Sequence, residues 1–500
     1  MDTNSSMGTL PTPCLAALLD HNMGYSVSAR RCGAFEEVVA MKVDAIIING
    51  RIFSPGVFLE AGIAIDEGKI VAIAKEPNLP EADEKINARG NLIIPGPIDA
   101  HVHLHIPGLL HREDFGNGTK AAAIGGTTTV IDFAVPRDGS LKKTFSLVKS
   151  EGERLAAVDF AIHAAICLEE HIEEIPEVSK MGAASFKHFM ANPDGLPFID
   201  TGAMLDSLNK IKEAGSLATV HAENESIRIH YLNKLKQQGR GDPLAHALSR
   251  PTIAEAEAIS RAIMLAAEAG TPLHVFHVSS GRGADLIGRA KEAGLPVTGE
   301  TCPHYLLFNQ DDLKKFGPYL QVNPPLRTKA DSEMLWKALA EGNLDVLVTD
   351  HYAPLRAEKE KGWSNIWDVE GGVPGVETRV MIAISEGYHK RKIPLKRLVE
   401  ILSTMPAKIF GLYPAKGNLQ IGSDADITII DLNEEMTIKA EKLHHKADWT
   451  PFDGLTVRGL PKLTMVRGEI VASEGSAWGK EGYGRFCPRS MKPSATANFP

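Results

Sequence analysis

IIPGPIDAHVH, residues 93–103, is a β-type apolar run that ends on two histidines spaced i, i+2. On an extended strand this spacing puts both imidazoles on one face, and two neutral imidazoles aimed the same way suit a transition metal such as zinc. Similar runs recur downstream: TTTVIDFAV (127–135), FAIHAAI (160–166), AASFKHFM (183–190), LATVHAEN (217–224), LHVFHVSS (273–280), PVTGETCPHYL (296–306) and LDVLVTDHYA (344–353). Helical text rich in Ala, Glu, Lys and Leu lies between them, such as IAEAEAISRAIMLAAEAG at 253–270, closed by a glycine. Strands alternating with helices predict βα units and a parallel sheet. Eight of them fit a closed, TIM-like (β/α)8 barrel better than an open sheet, so the fold class is α/β.

Outward from this middle the texture changes. VDAIIING, a Pro-Gly turn and VFLEAGIAIDEGKIVAIAK precede it, and NLQIGSDADITIIDL (418–432) and GLTVRGLPKLTMVRGEIVAS (454–473) follow it. Their period-2 alternation, punctuated by Gly and Asn-Gly, predicts antiparallel strands. The chain ends are therefore expected to meet in one small β-sandwich, contributed by residues 41–94 and 412–475, with the barrel over 95–411 inserted between. Residues 1–40 read as a leader: disordered, a weak targeting segment, or a product of start-site choice with Met41 as the alternative start. The Gly-rich tail at 476–500 is expected to loop over the surface or a neighbouring subunit.

Composition narrows the function. Lys and Arg number 54 against 63 Asp and Glu, a formal net charge of −9, and no basic run interleaved with aromatics suggests a nucleic-acid surface. Cys14, Cys32, Cys167, Cys302 and Cys487 are odd in number and never form a C-x-x-C pair, which argues against a disulfide framework and a thiolate zinc site. No stretch approaches the ~18 uninterrupted apolar residues of a spanning helix, and the start lacks the pattern of a signal peptide. A cytoplasmic protein acting on a small molecule, with neither nucleic-acid nor membrane partners, is the expectation.

The metal-ligand residue types cluster at the carboxyl ends of the predicted strands: His101 and His103 on the first, Lys187 near the end of the fourth, His221 on the fifth, His277 on the sixth and Asp350 on the eighth. In a (β/α)8 barrel those ends form one catalytic rim. A lone histidine on a strand reads first as a hydrogen-bonded core residue, and His163 and His274, away from strand ends, take that reading. Four histidines and an aspartate on one rim point to metal instead, because independent core histidines have no reason to share it. A lysine in an apolar strand is costly to bury charged. As a neutral amine, Lys187 can add carbon dioxide to become a carbamate whose two oxygens bridge two cations.

PGPIDAHVHLH, GGTTTVIDFAVP, SFKHFMA, VHAEN, HVFHVSS, GETCPHYL, NPPLR and VTDHYAP, taken in order, resemble the cyclic amidohydrolases of the amidohydrolase superfamily: hydantoinase, dihydropyrimidinase, allantoinase and dihydroorotase. The resemblance covers about residues 42–488. It implies a barrel with a β-sandwich, a homotetramer, and two divalent metal ions per subunit, zinc first among zinc, manganese, iron, cobalt and nickel. It further implies that His101, His103 and Asp350 bind one ion, that His221 and His277 bind the other, and that N6-carboxylated Lys187 bridges them. A hydroxide held between the ions then opens a ring amide or imide, and Asp350 acts as base and then acid.

The substrate contacts depart from the family pattern. Dihydroorotases carry an Arg two residues after the H-x-H pair, where this sequence has His105, and losing that carboxylate clamp disfavours dihydroorotate. Asn192 stands where hydantoinases usually have a Tyr thought to stabilise the oxyanion, and Asn323 stands where they often have Ser. Gly371 and Gly372, in VEGGVPGVETR (369–379), offer backbone groups to the ring. A hydantoin or dihydropyrimidine is expected first, allantoin or another cyclic imide second. A non-enzymatic scaffold resembling dihydropyrimidinase is the alternative of another class, and the complete ligand set argues against it.

Overall fold

The structure, a computed structural model, describes residues 42–490 except 55–56, 107, 137–138, 193–194 and 196–197. The leader at 1–40 and the last ten residues of the tail lie outside the described residues. Five strands come first: β1 (Val43–Ser54), β2 (Val57–Asp66), β3 (Lys69–Ala74), β4 (Ala82–Asn87) and β5 (Leu92–Pro95). Eight barrel strands follow: β6 (Ile98–Asp99), β7 (Thr129–Ala134), β8 (Asp159–Ile166), β9 (Ser185–Phe189), β10 (Ala218–His221), β11 (Leu273–Val275), β12 (Val297–Thr301) and β13 (Val346–Leu347). The chain closes with β14 (Ile427–Thr437), β15 (Thr456–Val466), β16 (Glu469–Ser473) and β17 (Ser476–Ala477).

The barrel strands pair in sequence order, β6 through β13, and every pair is parallel. From β7 to β12 all their residues are buried, as expected of strands that face side chains on one surface and helices on the other. Between first and last strands the closure is made differently. A parallel bridge joins Val102 to His351, and the His103 N–H donates to the His351 carbonyl at 2.8 Å. One turn below, Thr349 donates its N–H and Oγ1–H to the two oxygens of Asp99 at 3.0 and 2.7 Å. The fully buried Arg379 donates to the carbonyls of Ile98 and Leu347 at 3.0 and 2.8 Å.

Strands from the two chain ends form one nine-stranded sheet, ordered β17-β16-β15-β14-β5-β1-β2-β3 with β4 parallel on β1. The junction is β5, which pairs parallel with β1 and antiparallel with β14. One buried cluster joins Ile47, Ile52, Ile63 and Ile65 from the first segment to Ile427, Ile429 and Met465 from the last.

Two sequence expectations need correction, and a third is narrowed. The run 93–103 is two strands: its first residues belong to β5 of the second sheet, and the barrel strand is only Ile98–Asp99. The change of sheet falls at Pro95-Gly96-Pro97, where a Cβ on Gly96 would lie 2.1 Å from Thr128 Oγ1. The seventh barrel strand stops at Thr301, because Pro303 starts a short helix, Pro303–Leu307. The described tail is bound to its own barrel: Phe160 N–H donates to Arg485 O at 3.0 Å, Cys487 N–H to Phe160 O at 2.7 Å, and Arg489 Nη1 to Ala184 O and Ile409 O at 3.1 and 2.9 Å.

Candidate metal centre

Strand alternation and short βα loops place the candidate ligand residues. On β9, Ser185, Lys187 and Phe189 face the barrel interior side by side, while His188 turns outward to Ser207 Oγ at 2.8 Å. Lys187 is the third of the five residues of β9, two short of its end. His221 is the last residue of β10, and Asn224 soon follows to cap helix Glu225–Gln237, its Oδ1 accepting from Ile227 N–H at 3.0 Å. His277 lies just beyond β11, before Ser280 caps helix Gly281–Glu292. His101 and His103 follow β6, and Asp350 follows β13. His277 and Asp350 have left-handed backbones, φ 36° and 50°. For non-glycine residues that conformation costs about 1–3 kcal/mol and persists only where the surroundings impose it. Here it aims both side chains into the barrel mouth.

The six side chains converge. His101 Nε2 and His103 Nε2 lie 3.2 and 3.3 Å from Asp350 Oδ1, and His221 Nδ1 lies 3.0 Å from His277 Nε2. The imidazole rings of His101 and His277 are 5.3 Å apart. Lys187 Nζ sits among aromatic faces, 4.3, 4.7 and 5.1 Å from the ring centres of Phe133, Phe189 and Phe276.

Electrostatics disfavour the protonated forms of His101, His103, His277 and Lys187. Burial, aided for His101 by the charge of Lys187 and for His277 by that of His221, holds both imidazoles well below their ordinary range. Burial also lowers His103, against its hydrogen bond to Asp350. Burial lowers the Lys187 ammonium to about 8, against the pull of the Asp350 and Glu300 carboxylates. Burial raises Asp350, but the His103 hydrogen bond and the charges of His277, His103 and Lys187 outweigh it and hold the carboxyl at about 2.

Partners behind the rim orient it. Glu300, fully buried, contacts His101 Nδ1 at 2.5 Å and His274 Nε2 at 3.1 Å, and accepts the His277 backbone N–H at 3.3 Å. Glu223 contacts His221 Nε2 at 2.9 Å and pairs with Arg250. These carboxylates fix which ring nitrogen faces the centre. The sequence reading gave neither a role, although both lie inside quoted motifs and Glu223 is only two residues from His221. His163 is satisfied by Ser185 Oγ at 2.7 Å and Ala100 O at 2.9 Å, and His274 by Thr298 Oγ1 at 2.8 Å and Glu300, as core histidines should be.

These residues fit divalent cations. His101, His277 and Asp350 each offer a ligand atom, all within 4.8 Å of one another. Buried His101 Nε2 and His277 Nδ1 have no hydrogen-bond partner, a costly state that a bound cation relieves. A second such cluster, Asp159, Asp424 and Asp426, already surrounds the Lys416 ammonium, 2.9 Å from Asp424 and 2.7 Å from Asp426.

Above the centre opens a cavity of about 400 Å³, lined by His103, Lys187, His221, His277 and Asp350 at its base and by His105, Asn323, Gly371 and Gly372 along its wall. His105 donates its backbone N–H to Asp132 at 3.0 Å, and its ring stacks near Phe115. The bare glycines are required: a Cβ on Gly372, at φ 136°, would stand 2.2 Å from Tyr352, and one on Gly371 would stand 2.8 Å from Asn323 Nδ2. Asn192 is not brought to this wall. Its backbone N–H donates to Glu225 at 3.0 Å, and it lines a neighbouring polar depression with Arg228, Arg250 and Gln321. Asp132, Tyr352 and Glu370 line the cavity and were not singled out from sequence.

Comparison with known proteins agrees with this geometry. Residues 92–471 match the Amidohydrolase family. The chain is 40% identical to a D-hydantoinase of Geobacillus stearothermophilus over 456 residues, covering 89% of this chain and 96% of the relative. It is 37% identical to an L-hydantoinase of Paenarthrobacter aurescens, covering 89% and 98%. The solved structure of L-hydantoinase (dihydropyrimidinase) from Arthrobacter aurescens superposes with a TM-score of 0.86 at 36% identity, covering 89% of this chain and all of that one. A dihydropyrimidinase structure from Brevibacillus agri gives the same TM-score at 36% identity, covering 90% and 100%. With the barrel, the converging rim and these relatives in place, the chain belongs to the amidohydrolase family, whose members imply bound divalent metal ions.

Proposed function

We propose that this protein is a binuclear metal-dependent hydrolase that opens the C–N bond of a five- or six-membered cyclic ureide or imide, a hydantoin or dihydropyrimidine first and allantoin or another imide second. The observation that carries the reading is the complete rim, in which His103, His221, His277, Asp350 and a buried Lys187 line the base of one cavity and His101 backs Asp350 at 3.2 Å. The hydantoinases among its relatives supply the reaction class.

Lys187 is read as the N6-carboxylated bridge. Its neutral amine attacks carbon dioxide, an N–C bond forms, and one proton leaves to solvent. The carbamate replaces a buried cation with an anion, which suits a centre already crowded with imidazoles. His101, His103 and Asp350 would hold one ion, His221 and His277 the other, with zinc first and manganese, iron, cobalt or nickel as availability decides. Such ions supply a lowered water pKa and a polarised ring carbonyl. Asp350, kept ionised at neutral pH, takes the proton of the attacking water and returns it to the ring nitrogen as the C–N bond breaks. The Asn323 amide and the bare backbone of Gly371 and Gly372 are the ring contacts along the wall. A cytoplasmic homotetramer completes the reading. Lys187→Ala tests it: bound metal, counted by elemental analysis, and ring opening are both lost, whereas a variant retaining both overturns the bridge.

A further inference from the structure

The charge of the cavity wall suggests which rings enter. Among the described residues lining it, Lys187 at the base, read above as the carboxylated bridge, is the only lysine or arginine, against the carboxyls of Asp132, Asp350 and Glu370. Asp132 is fully committed to the backbone N–H groups of Leu104, His105 and Phe133, and burial raises it to about 7. Asp350 belongs to the centre. Glu370 stands apart at the wall with its side chain 41% exposed. Its Oε2 accepts from Tyr352 Oη–H and Arg112 Nη1–H, both at 2.5 Å. Arg112, itself outside the cavity lining, also donates through Nε and Nη2 to Glu358 Oε1 at 3.0 and 2.8 Å. One guanidinium thus serves two carboxylates; the buried Lys359 Nζ donates to the backbone carbonyls of Gln321 and Glu370, both at 3.1 Å, and Glu370 is the member of this group whose carboxylate lines the cavity. Although burial raises Glu370, the hydrogen bonds of Tyr352 and Arg112 outweigh it and keep the group ionised.

We propose that Glu370 is a specificity-determining residue that favours cyclic ureides whose exocyclic substituent ends in a cation or an N–H donor, and disfavours those ending in a carboxylate. The inference rests on the ring-opening reading above. Arg112 and Tyr352 clamp one carboxylate oxygen, so the group is oriented before substrate arrives, which limits the entropy lost on contact. Partial exposure sets the scale: attraction for one charge and repulsion of the other together give a preference of roughly ten-fold.

The test compares kcat/KM for hydantoins carrying an aminobutyl, a butyl or a carboxypropyl group on the ring carbon. The metal-loaded enzyme is expected to favour aminobutyl over carboxypropyl about ten-fold at low salt, and Glu370→Gln to bring that ratio within about two-fold. A wild-type ratio near one, or an undiminished ratio in Glu370→Gln, overturns the proposal. Should that variant not fold, salt decides on the wild type: screening at about 1 M shrinks the preference if Glu370 sets it, and a constant ratio overturns it. Failure to open any of the three overturns the ring-opening reading and this inference together, whereas equal opening of all three overturns only the inference.

Discussion

At His101 the chemistry depends on a residue one layer back. Glu300 sits 2.5 Å from Nδ1, so Nε2 is the nitrogen that faces Asp350. Glu300→Gln keeps the shape but weakens that orientation, and metal affinity is expected to fall about 10- to 100-fold, measured by competition with a chelator; unchanged affinity would remove Glu300 from the account. Lys187 offers a second test, through pH. Its ammonium is lowered to about 8, and only the neutral amine adds carbon dioxide. Below about pH 8, reconstitution of metal-depleted protein at fixed dissolved carbon dioxide should therefore quicken about ten-fold per pH unit and level off above it. The convergence of His101, His103, Lys187, His221, His277 and Asp350 was legible because their residue types recur at or near strand ends. Glu300 and Glu223 were not, since a glutamate in a motif carries no mark of being buried, and Asn192 lies outside the cavity wall, its backbone N–H bonded to the side-chain carboxylate of Glu225, 33 residues on and invisible in sequence.

At the scale of elements, eight strands were legible from apolar runs between helices, but their edges were not. β6 and β13 are two residues each, too short for any periodic signal, and the seam between them depends on side chains. Arg379, fully buried, bonds the carbonyls of Ile98 and Leu347 and faces Asp99 at 3.7 Å. Burial raises Asp99 and lowers Arg379, so each needs the other. Arg379→Leu is expected to cost about 3–5 kcal/mol in chemical denaturation, because it removes the counter-charge of a buried carboxyl and the donors to two carbonyls. Adding Asp99→Asn should recover part of that loss, and additive losses would show that the two do not act together. The seam also carries His101, His103 and Asp350, so weakening it should loosen metal before it unfolds the barrel.

Over the whole molecule, the pairing of both chain ends into one sheet was legible from alternation alone. The docking of the tail was not: Phe160 meets Arg485 and Cys487 through isolated bonds that leave no periodic trace. Lys416 joins the parts, its ammonium paired with Asp159 of β8 and with Asp424 and Asp426 beside β14. The frame thus holds a rim drawn from five of eight barrel strands, and the account stands or falls on what that rim does. The most direct test is ring opening of hydantoin, dihydrouracil, allantoin, dihydroorotate and phthalimide, followed by ultraviolet absorbance alongside the metal-to-subunit ratio. The account predicts turnover of a neutral cyclic ureide with close to two metals per subunit and little or none of dihydroorotate; a metal-loaded protein inert on every ring would contradict it.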